Sequence, residues 1–407
     1  ENSAQGKQRE KTPAPRDIMA KEGIVMKRCL GLFCFFLFSV IAVLPIQAMA
    51  SWQPEIMIGL SQGVSEVRLA ATNGGLHVYE APDKEPVLEI SQGKELDIRI
   101  LQDQLLLNGQ TIKADRLIIQ PDTTGFIMVN GAPYRGYITL LKKNGLTVIN
   151  NIQVEDYLYG VVPKEMPSNW PAEALCAQSV AARTFALKNR KRHSEEGFDL
   201  CNTSHCQVYE GMSAEMQTTT EAVNNTRGEV LFYKGAIIDA LFHTDSGGMT
   251  ESSENVWGSS VPYLRAVTET QMQTQPWNRS ISMASFVQKI EADGKILGTL
   301  REIRLSPLLI GKGSEDRTPS GRVRSMEFIG SKGRVILSGN DLRSMFSLPS
   351  TLFHVRYGNS EIIFNGYGSG HGLGLSQWGA KTLADQRKNY KDILFHYYTG
   401  VTLEKLY

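Results

Sequence analysis

Glu165 is the residue in this sequence whose surroundings best suit acid–base chemistry. It lies between Pro163 and Pro167, and a proline fixes its own backbone angle and restricts the residue before it. The sequence therefore predicts a stiff loop, in which Val162 and Met166 supply an apolar environment. Such an environment raises the pKa of a carboxyl group, which can then act as a general acid at neutral pH. The alternative is an exposed glutamate near the start of the next helix.

Two histidines and two cysteines, His193, Cys201, His205 and Cys206, form a second candidate site. Zinc prefers thiolate and imidazole ligands, and four of them close a tetrahedral structural site. The sequence therefore favours a structural metal over a catalytic one. One alternative is a disulfide between Cys201 and Cys206, which the oxidising conditions outside the cytoplasm would permit. The other is a pair of free thiols.

A glycine-rich segment, residues 366–380, carries His371 and Gln377. Glycine allows tight turns and a close approach of the backbone to another group. No Gly-Lys-Ser/Thr sequence follows, which disfavours a phosphate-binding loop, and no nucleophile elbow is present. We expect a polar loop that lines a cleft, the alternative being a purely structural turn. Residues 243–250 predict a strand end followed by a second tight glycine turn.

Helices and strands must position these residues. Residues 171–192 are rich in alanine and contain no interior glycine or proline, which predicts a buried helix, with Ser168 and Asn169 as capping residues. Residues 55–150 contain short apolar runs separated by Asn-Gly pairs, which predict strands. The expected fold class is α+β, with a mixed or antiparallel β-rich core, a few helices and an N-terminal β-rich region.

The beginning of the sequence is typical of export. A Lys-Arg pair precedes an apolar run over residues 29–44, and a small-residue Ala-Met-Ala site ends at Ala50; this order predicts a secretory signal peptide. The run is shorter than the roughly 20 residues that span a bilayer, so we favour cleavage over a retained membrane anchor. Residues 1–25 are interpreted as a disordered or non-native upstream segment. The remainder is expected outside the cytoplasm.

Composition limits the functional class. The chain has 407 residues, with 43 basic and 42 acidic side chains, and this balance argues against a nucleic-acid-binding protein. Hydrophobic residues make up 42% and charged residues 21%, as in a folded globular protein. Five cysteines in a chain of this length exclude a disulfide-stapled miniprotein.

Several segments, taken in order, resemble the stage II sporulation protein D family, also called the amidase enhancer family. They are residues 161–184, 243–248, 320–322, 348–353 and 370–380. The resemblance covers roughly residues 130–407, and more loosely starts at 55. Together with the export and strand patterns, it gives four expected parts: the upstream segment 1–25, a signal peptide or anchor at 26–50, a β-rich N-terminal region at 51–130, and a catalytic domain at 131–407.

The resemblance implies a peptidoglycan lytic transglycosylase in the cell-wall space, acting in sporulation or wall remodelling. Such an enzyme cleaves the bond between N-acetylmuramic acid and N-acetylglucosamine and leaves a 1,6-anhydro product. The implied substrate is a glycan strand stripped of its stem peptides by an amidase. A zinc site occurs in some members, and no organic cofactor is expected. Membrane contact is expected only through the N-terminal segment.

The resemblance also assigns roles to residues. The catalytic glutamate of the family matches Glu165. Arg265 stands where lysine is usual, so it could act electrostatically but could not release a proton. The residues expected to contact substrate are Gln178, Arg183, Tyr263, Arg265, His371 and Gln377.

A lytic mechanism needs a single carboxyl group, which agrees with Glu165 standing alone in the motifs, whereas ordinary glycosidases use two. Arg183 or Arg265 could hold a lactyl or stem-peptide carboxylate by bidentate hydrogen bonds. One alternative is a non-enzymatic wall-binding protein that activates an N-acetylmuramoyl-L-alanine amidase. Another is a zinc hydrolase, for which chelation would stop turnover without unfolding the chain.

Overall fold

The computed structural model describes residues 52–81, 85–122, 125–269 and 276–407. The predicted signal peptide or anchor and the upstream segment 1–25 lie outside the described residues. Among the described residues, no helix is both long and apolar enough to cross a membrane. The fold is α+β, as the sequence predicts, with several mostly antiparallel sheets.

Strands dominate the first part of the chain. They are β1 (Glu55–Val64), β2 (Glu66–Ala71), β3 (Leu76–Glu80), β4 (Leu88–Ile90), β5 (Leu96–Leu101), β6 (Gln104–Leu107), β7 (Gln110–Ile112), β8 (Arg116–Pro121), β9 (Ile127–Val129), β10 (Ala132–Tyr134), β11 (Tyr137–Lys142) and β12 (Leu146–Gln153).

The second part of the chain contains shorter strands between helices. They are β13 (Leu200–Cys201), β14 (Glu229–Tyr233), β15 (Ala236–Ile237), β16 (Phe242–His243), β17 (Pro276–Ser282), β18 (Leu300–Arg304), β19 (Ser325–Gly330), β20 (Arg334–Ser338), β21 (Phe353–Tyr357), β22 (Glu361–Tyr367), β23 (Leu375–Ser376) and β24 (Thr402–Lys405).

The helices of the described residues all follow residue 153. They are α1 (Val154–Glu165), α2 (Ala172–Lys188), α3 (Gln217–Asn225), α4 (Ser253–Trp257), α5 (Met283–Ala292), α6 (Gly339–Phe346), α7 (Gln377–Asp385) and α8 (Tyr390–Tyr397). A short 3-10 helix covers Gly211–Ala214.

Two sheets enclose the first hydrophobic core. One has seven strands in the order β13-β1-β12-β11-β8-β3-β4, and the other has six in the order β10-β9-β2-β5-β6-β7. Alternate residues, such as Val67 and Leu69 on β2, are buried in this core, as expected for strands with one buried face. The seven-stranded sheet joins strands from both sides of residue 130, and β13 pairs in parallel with β1 at its edge.

Helix α2 occupies the centre of the second part, which confirms the predicted burial. Every residue from Ala174 to Ala186 is buried, and its alanines belong to two separate hydrophobic clusters on either side of the helix. The prediction of a side-chain cap was wrong: Pro171 is the N-cap residue and no side chain caps the first turn. The helix therefore depends on tertiary packing more than on its ends.

The segment containing Glu165 is helical, and the prediction of a loop was wrong. Helix α1 continues directly from β12 and includes Pro163 near its end. Tyr157, Leu158, Val161 and Val162 are buried at helical spacing. Their burial outweighs the hydrogen bond that a proline inside a helix removes.

A fourth hydrophobic cluster lies in residues 276–374. Strands β17, β22 and β21 form one sheet and β18, β19 and β20 another. Phe286 on α5, Phe346 on α6 and Phe364 on β22 stack within this core. A parallel pair, β16 with β23, places His243 beside Ser376 in register. This pairing carries the glycine-rich segment alongside the 243–250 segment.

Candidate functional site

Glu165 opens into a cleft of about 500 Å³. The cleft lies between the end of α1, the loop after β13, strand β16, helix α6 and the glycine-rich segment. Its lining residues include Glu165, Arg192, Ser204, His205, Cys206, Val208, His243, Thr244, Trp257, Arg343, His371 and Gln377. Three of the residues predicted for catalysis or substrate binding, Glu165, His371 and Gln377, thus share one cavity.

The Glu165 carboxyl group is half-buried at the C-terminal end of α1. Burial raises its pKa, and a hydrogen bond from the Val208 amide to Oε1, 3.0 Å long, partly opposes that rise. Among the described residues that line the cleft, Glu165 is the sole carboxylate. The arrangement suits a carboxyl group that donates and accepts a proton.

His371 is held in a defined orientation by the glycine-rich backbone. Its Nδ1 accepts a hydrogen bond of 2.9 Å from the Leu373 amide, so the ring proton is on Nε2. Gly370 has a φ of +108°, and a Cβ there would lie 2.7 Å from Cβ of His243, so only glycine fits this close approach. Burial, and then the charges of Arg343 and Arg322, lower the pKa of His371 to about 4.

His243 lies beside His371, with ring centroids 5.5 Å apart. Its Nδ1 donates to the Leu373 carbonyl oxygen at 3.0 Å, and its buried Nε2 has no hydrogen-bond partner among the described residues. Burial, with the nearby His371 and Arg322, lowers the pKa of His243 well below its usual value. Both imidazoles are therefore neutral at neutral pH and can take part only as hydrogen-bonding groups.

Gln377 begins α7 and connects the glycine-rich segment to the central helix. Its Nε2 donates to Oε1 of Gln178 on α2 at 3.4 Å, and both side chains are buried. Gln178 thus contacts Gln377 but is not among the residues that line the cleft. Beside it, Trp378 packs edge-on against Trp170, with centroids 4.9 Å apart. These contacts fix the glycine-rich segment against the region just after Glu165.

Arg183 lies away from the cleft. Its guanidinium donates to both carboxylate oxygens of Glu155 at 2.8 Å, and the side chain has no exposed surface. Further hydrogen bonds go to Thr226 and to the carbonyls of Val223 and Glu229. A substrate carboxylate could reach Arg183 only if this buried ion pair opened, so the structure supports a role in holding α1 to α2.

Tyr263 and Arg265 also have protein partners outside the cleft lining. The Tyr263 hydroxyl accepts a hydrogen bond from the Asp239 amide at 3.1 Å. Arg265 forms a bidentate pair with Glu254, at 2.9 and 2.6 Å, and donates to Ser253 at 2.8 Å. The structure therefore does not bring these two residues together with Glu165.

The four predicted metal ligands converge. Sγ of Cys206 lies 3.4 Å from Nε2 of His193 and 3.6 Å from Nδ1 of His205, and Sγ of Cys201 lies 3.6 Å from that same Nδ1. All four ligand atoms lie within 4.8 Å of one another. Tetrahedral zinc with bonds of about 2.0–2.3 Å places its ligand atoms about 3.5 Å apart. The donor set and its spacing fit zinc, and the two thiols are free rather than joined.

Neighbouring groups orient this cluster. Nδ1 of His193 lies 3.3 Å from Oε1 of Glu196, the arrangement in which a carboxylate directs the other ring nitrogen towards a metal. Cys201 sits on β13 at the sheet edge. His205 and Cys206 line the cleft, and two residues later Val208 donates to Glu165. A metal here would fix the loop that holds the catalytic candidate.

Arg343 is a cleft residue that sequence reasoning missed. It lies on α6, more than 170 residues after Glu165. No motif surrounds it, and only the packing of α6 beside the glycine-rich segment brings it into the cleft. Trp257, about half exposed at the end of α4, also lines the cleft.

Two family models and several known proteins match this chain. A family model described as stage II sporulation protein matches residues 142–233, and a model described as a domain of unknown function, DUF8618, matches residues 276–374. An uncharacterized protein of Brachyspira hyodysenteriae is 33% identical over 313 residues, which cover 75% of this chain and 82% of that protein.

Two further relatives carry functional names. A stage II sporulation protein D of Bacillus amyloliquefaciens is 32% identical over 275 residues, which cover 63% of this chain and 76% of that protein. An amidase enhancer of Bacillus subtilis is 30% identical over 368 residues, which cover 77% of this chain and 50% of that protein. The chain therefore spans about half the length of that amidase enhancer.

Proposed function

Because the chain belongs to the stage II sporulation protein D family, we propose that it is a peptidoglycan lytic transglycosylase acting in sporulation or cell-wall remodelling. The single observation that carries the proposal is Glu165, a half-buried carboxyl group of raised pKa and the sole carboxylate among the described cleft residues. A glycoside hydrolase of the common type would need a second carboxylate, as the base that activates water or as the nucleophile.

In the first step Glu165 acts as the acid. Its protonated carboxyl group donates a proton to the glycosidic oxygen as the bond from that oxygen to the anomeric carbon of the muramyl sugar breaks. Burial favours the protonated form that this step requires. The N-acetylglucosamine part leaves as an alcohol, and positive charge develops on the muramyl ring, where the new carboxylate anion of Glu165 stabilises it.

In the second step Glu165 acts as the base. The hydroxyl on carbon 6 of the same muramyl sugar attacks the anomeric carbon and gives its proton to the carboxylate. One bond forms where one broke, the proton returns to Glu165, and no water is consumed. The product is a 1,6-anhydro sugar, and the Val208 amide stabilises the carboxylate between the two steps.

The other cleft residues would hold the glycan. His371, whose ring also forms a hydrogen bond with the Phe242 backbone, and Gln377 would orient sugar hydroxyls. Trp257 offers an apolar face at the cleft edge, as sugar sites commonly do.

We propose a structural role for zinc. The ion would be held by His193, Cys201, His205 and Cys206. These four protein ligands would complete the tetrahedral coordination and leave no position for a catalytic water or for substrate. When bound, zinc would cross-link the loop that carries Val208.

The predicted export of the chain is also part of the proposed function, since peptidoglycan lies outside the cytoplasm.

A second candidate function is activation of a cell-wall amidase without glycan cleavage. It is favoured by one observation, the similarity to a protein named amidase enhancer. In that case the cleft would bind glycan strands and the partner amidase would do the chemistry.

The products of the reaction distinguish these functions. Residues 51–407 would be incubated with purified glycan strands, intact or amidase-treated, in water enriched in heavy oxygen, and the products analysed by mass spectrometry. We expect anhydro-muramyl ends that carry no label. Labelled reducing ends would show hydrolysis, and uncut strands, together with faster peptide release by an added amidase, would support the activator.

A further inference from the structure

Arg343 differs from Arg183 and Arg265 because its charge has no counterion in the part of the chain that the structure describes. Arg343 lines the cleft with Glu165 and His371, and its charge lowers the pKa of His371. Among the described residues, none accepts a hydrogen bond from the Arg343 guanidinium and none forms an ion pair with it, since only its backbone carbonyl is engaged. Arg183 and Arg265, by contrast, each hold a carboxylate through two nitrogens.

The surroundings of Arg343 do not neutralise it. His371 and His243, which its charge influences, have lowered pKa values and are neutral. The one carboxylate of the described lining is Glu165, which must be protonated at the start of the proposed reaction. Arg192, the other arginine of the lining, is exposed beside the metal ligands.

Partial burial makes this guanidinium a strong anion site. Arg343 is half-buried, and burial alone lowers its pKa. A guanidinium that has lost part of its hydration without gaining a partner costs free energy. A carboxylate that entered the cleft would restore two charge-assisted hydrogen bonds in fork geometry.

The position of α6 suits a polymeric ligand. Residues at the start of the helix, Ser338 to Asn340, line a second cavity of about 340 Å³, whereas Arg343 lines the cleft. His371 lines both cavities, so they adjoin. A strand long enough to occupy both would pass along α6 and meet Arg343.

We propose that Arg343 binds a carboxylate of the glycan strand and so determines which strands the cleft accepts. This inference rests on the proposed function, because the ligand is a peptidoglycan strand. Two carboxylates have the required chemistry: the lactyl group of a muramyl sugar, which is ionised only after its stem peptide is removed, and the carboxylates of the stem peptide itself. Arg343 takes the part that the sequence suggested for Arg183 or Arg265.

Equilibrium binding of defined strands tests this assignment. All variants carry Glu165→Gln, so that no strand is cut and the result does not depend on catalysis. The experiment compares Arg343→Gln and Arg343→Lys with a control, Arg356→Gln. Arg356 is exposed and lies outside the cleft lining. Two pairs of probes are used. The first pair is peptide-stripped strands with free or amidated lactyl carboxylates. The second pair is peptide-bearing strands with free or amidated peptide carboxylates.

We expect Arg343→Gln to weaken binding of at least one carboxylate-bearing strand by about tenfold or more, the effect of losing a charge-assisted pair. Arg343→Lys should retain part of the affinity, and Arg356→Gln all of it. A loss on peptide-stripped strands identifies the lactyl group, and a loss confined to peptide-bearing strands identifies the peptide. Unchanged binding of every strand, or an equal loss on the amidated strands, would overturn the assignment. Absence of anhydro products from the unmodified chain would refute the proposed activity but not this contact.

Discussion

At the scale of single residues, the proton affinity of Glu165 decides what the cleft can do. Burial raises its pKa and the Val208 amide restrains that rise. Burial thus favours the acid form that the first step needs, and the Val208 amide stabilises the carboxylate that the second step needs. The neighbouring imidazoles are neutral and leave Glu165 as the proton-transfer group.

This balance predicts the pH dependence of glycan cleavage. The free enzyme must start with Glu165 protonated, so kcat/KM on peptide-stripped strands should be maximal below the raised pKa of Glu165 and fall as pH rises through it. On the acid side activity should persist until His371 is protonated, near its pKa of about 4. An increase in activity between pH 6 and 7, as an imidazole with a pKa of about 6.5 loses its proton, would contradict this reading.

The sequence identified some of these residues and could not identify others. Glu165, His371, Gln377 and the four metal ligands stand in compact motifs, so their types and spacing were informative. Arg343 lies in an ordinary helix segment, and only tertiary packing gives it a role. Nor does a sequence distinguish an arginine in a buried ion pair, such as Arg183, from one that is free to bind substrate.

At the scale of elements, the cleft depends on helices and a loop held by polar contacts. Helix α1 carries Glu165 and is joined to α2 by the buried pair of Glu155 and Arg183. Burial on its own would raise the pKa of Glu155, but the charge and hydrogen bonds of Arg183 outweigh it and lower that pKa. The sequence predicted α2 but not α1, because Pro163 favours a loop locally while the buried apolar face of α1 favours a helix.

Removal of Arg183 should therefore reduce stability rather than affinity for glycan. Arg183→Met leaves Glu155 buried without a counterion and is expected to lower the free energy of unfolding by about 3–5 kcal/mol, as measured by urea denaturation. The control Lys188→Met, at the exposed end of the same helix, should change it by about 0.5 kcal/mol or less. If the free energy of unfolding stayed the same and KM for glycan strands rose, Arg183 would instead be a substrate-binding residue.

The loop with the metal ligands should respond to metal removal in a characteristic way. We expect about one zinc per chain by elemental analysis, and chelation or Cys206→Ser should lower Tm together with activity, because metal binding contributes folding free energy. Cys176→Ala, which removes a buried thiol outside the cluster, should retain the zinc. If chelation stopped cleavage while Tm stayed constant, a catalytic metal would be the better account.

At the scale of the whole molecule, residues 53–407 form one compact unit in which distant segments build a single cleft. The parallel pairing of β16 with β23 and the contact of Trp170 with Trp378 bring the motifs together. The β-rich region was predictable from alternating apolar residues. The pairing of strands across residue 130 and the position of α6 could not be predicted, because contacts between segments far apart in sequence leave no local pattern.

The substitution Glu165→Gln tests the central claim most directly. Loss of the proton-transfer group should reduce release of anhydro-muramyl products from peptide-stripped strands by about 10²–10⁴-fold, with Tm unchanged or slightly higher at neutral pH because a buried charge is removed. The control is Glu210→Gln, which should keep near-normal activity. Glu210 is an exposed residue of the neighbouring segment and pairs with Lys164. Near-normal release of anhydro products by a folded Glu165→Gln chain would contradict the account.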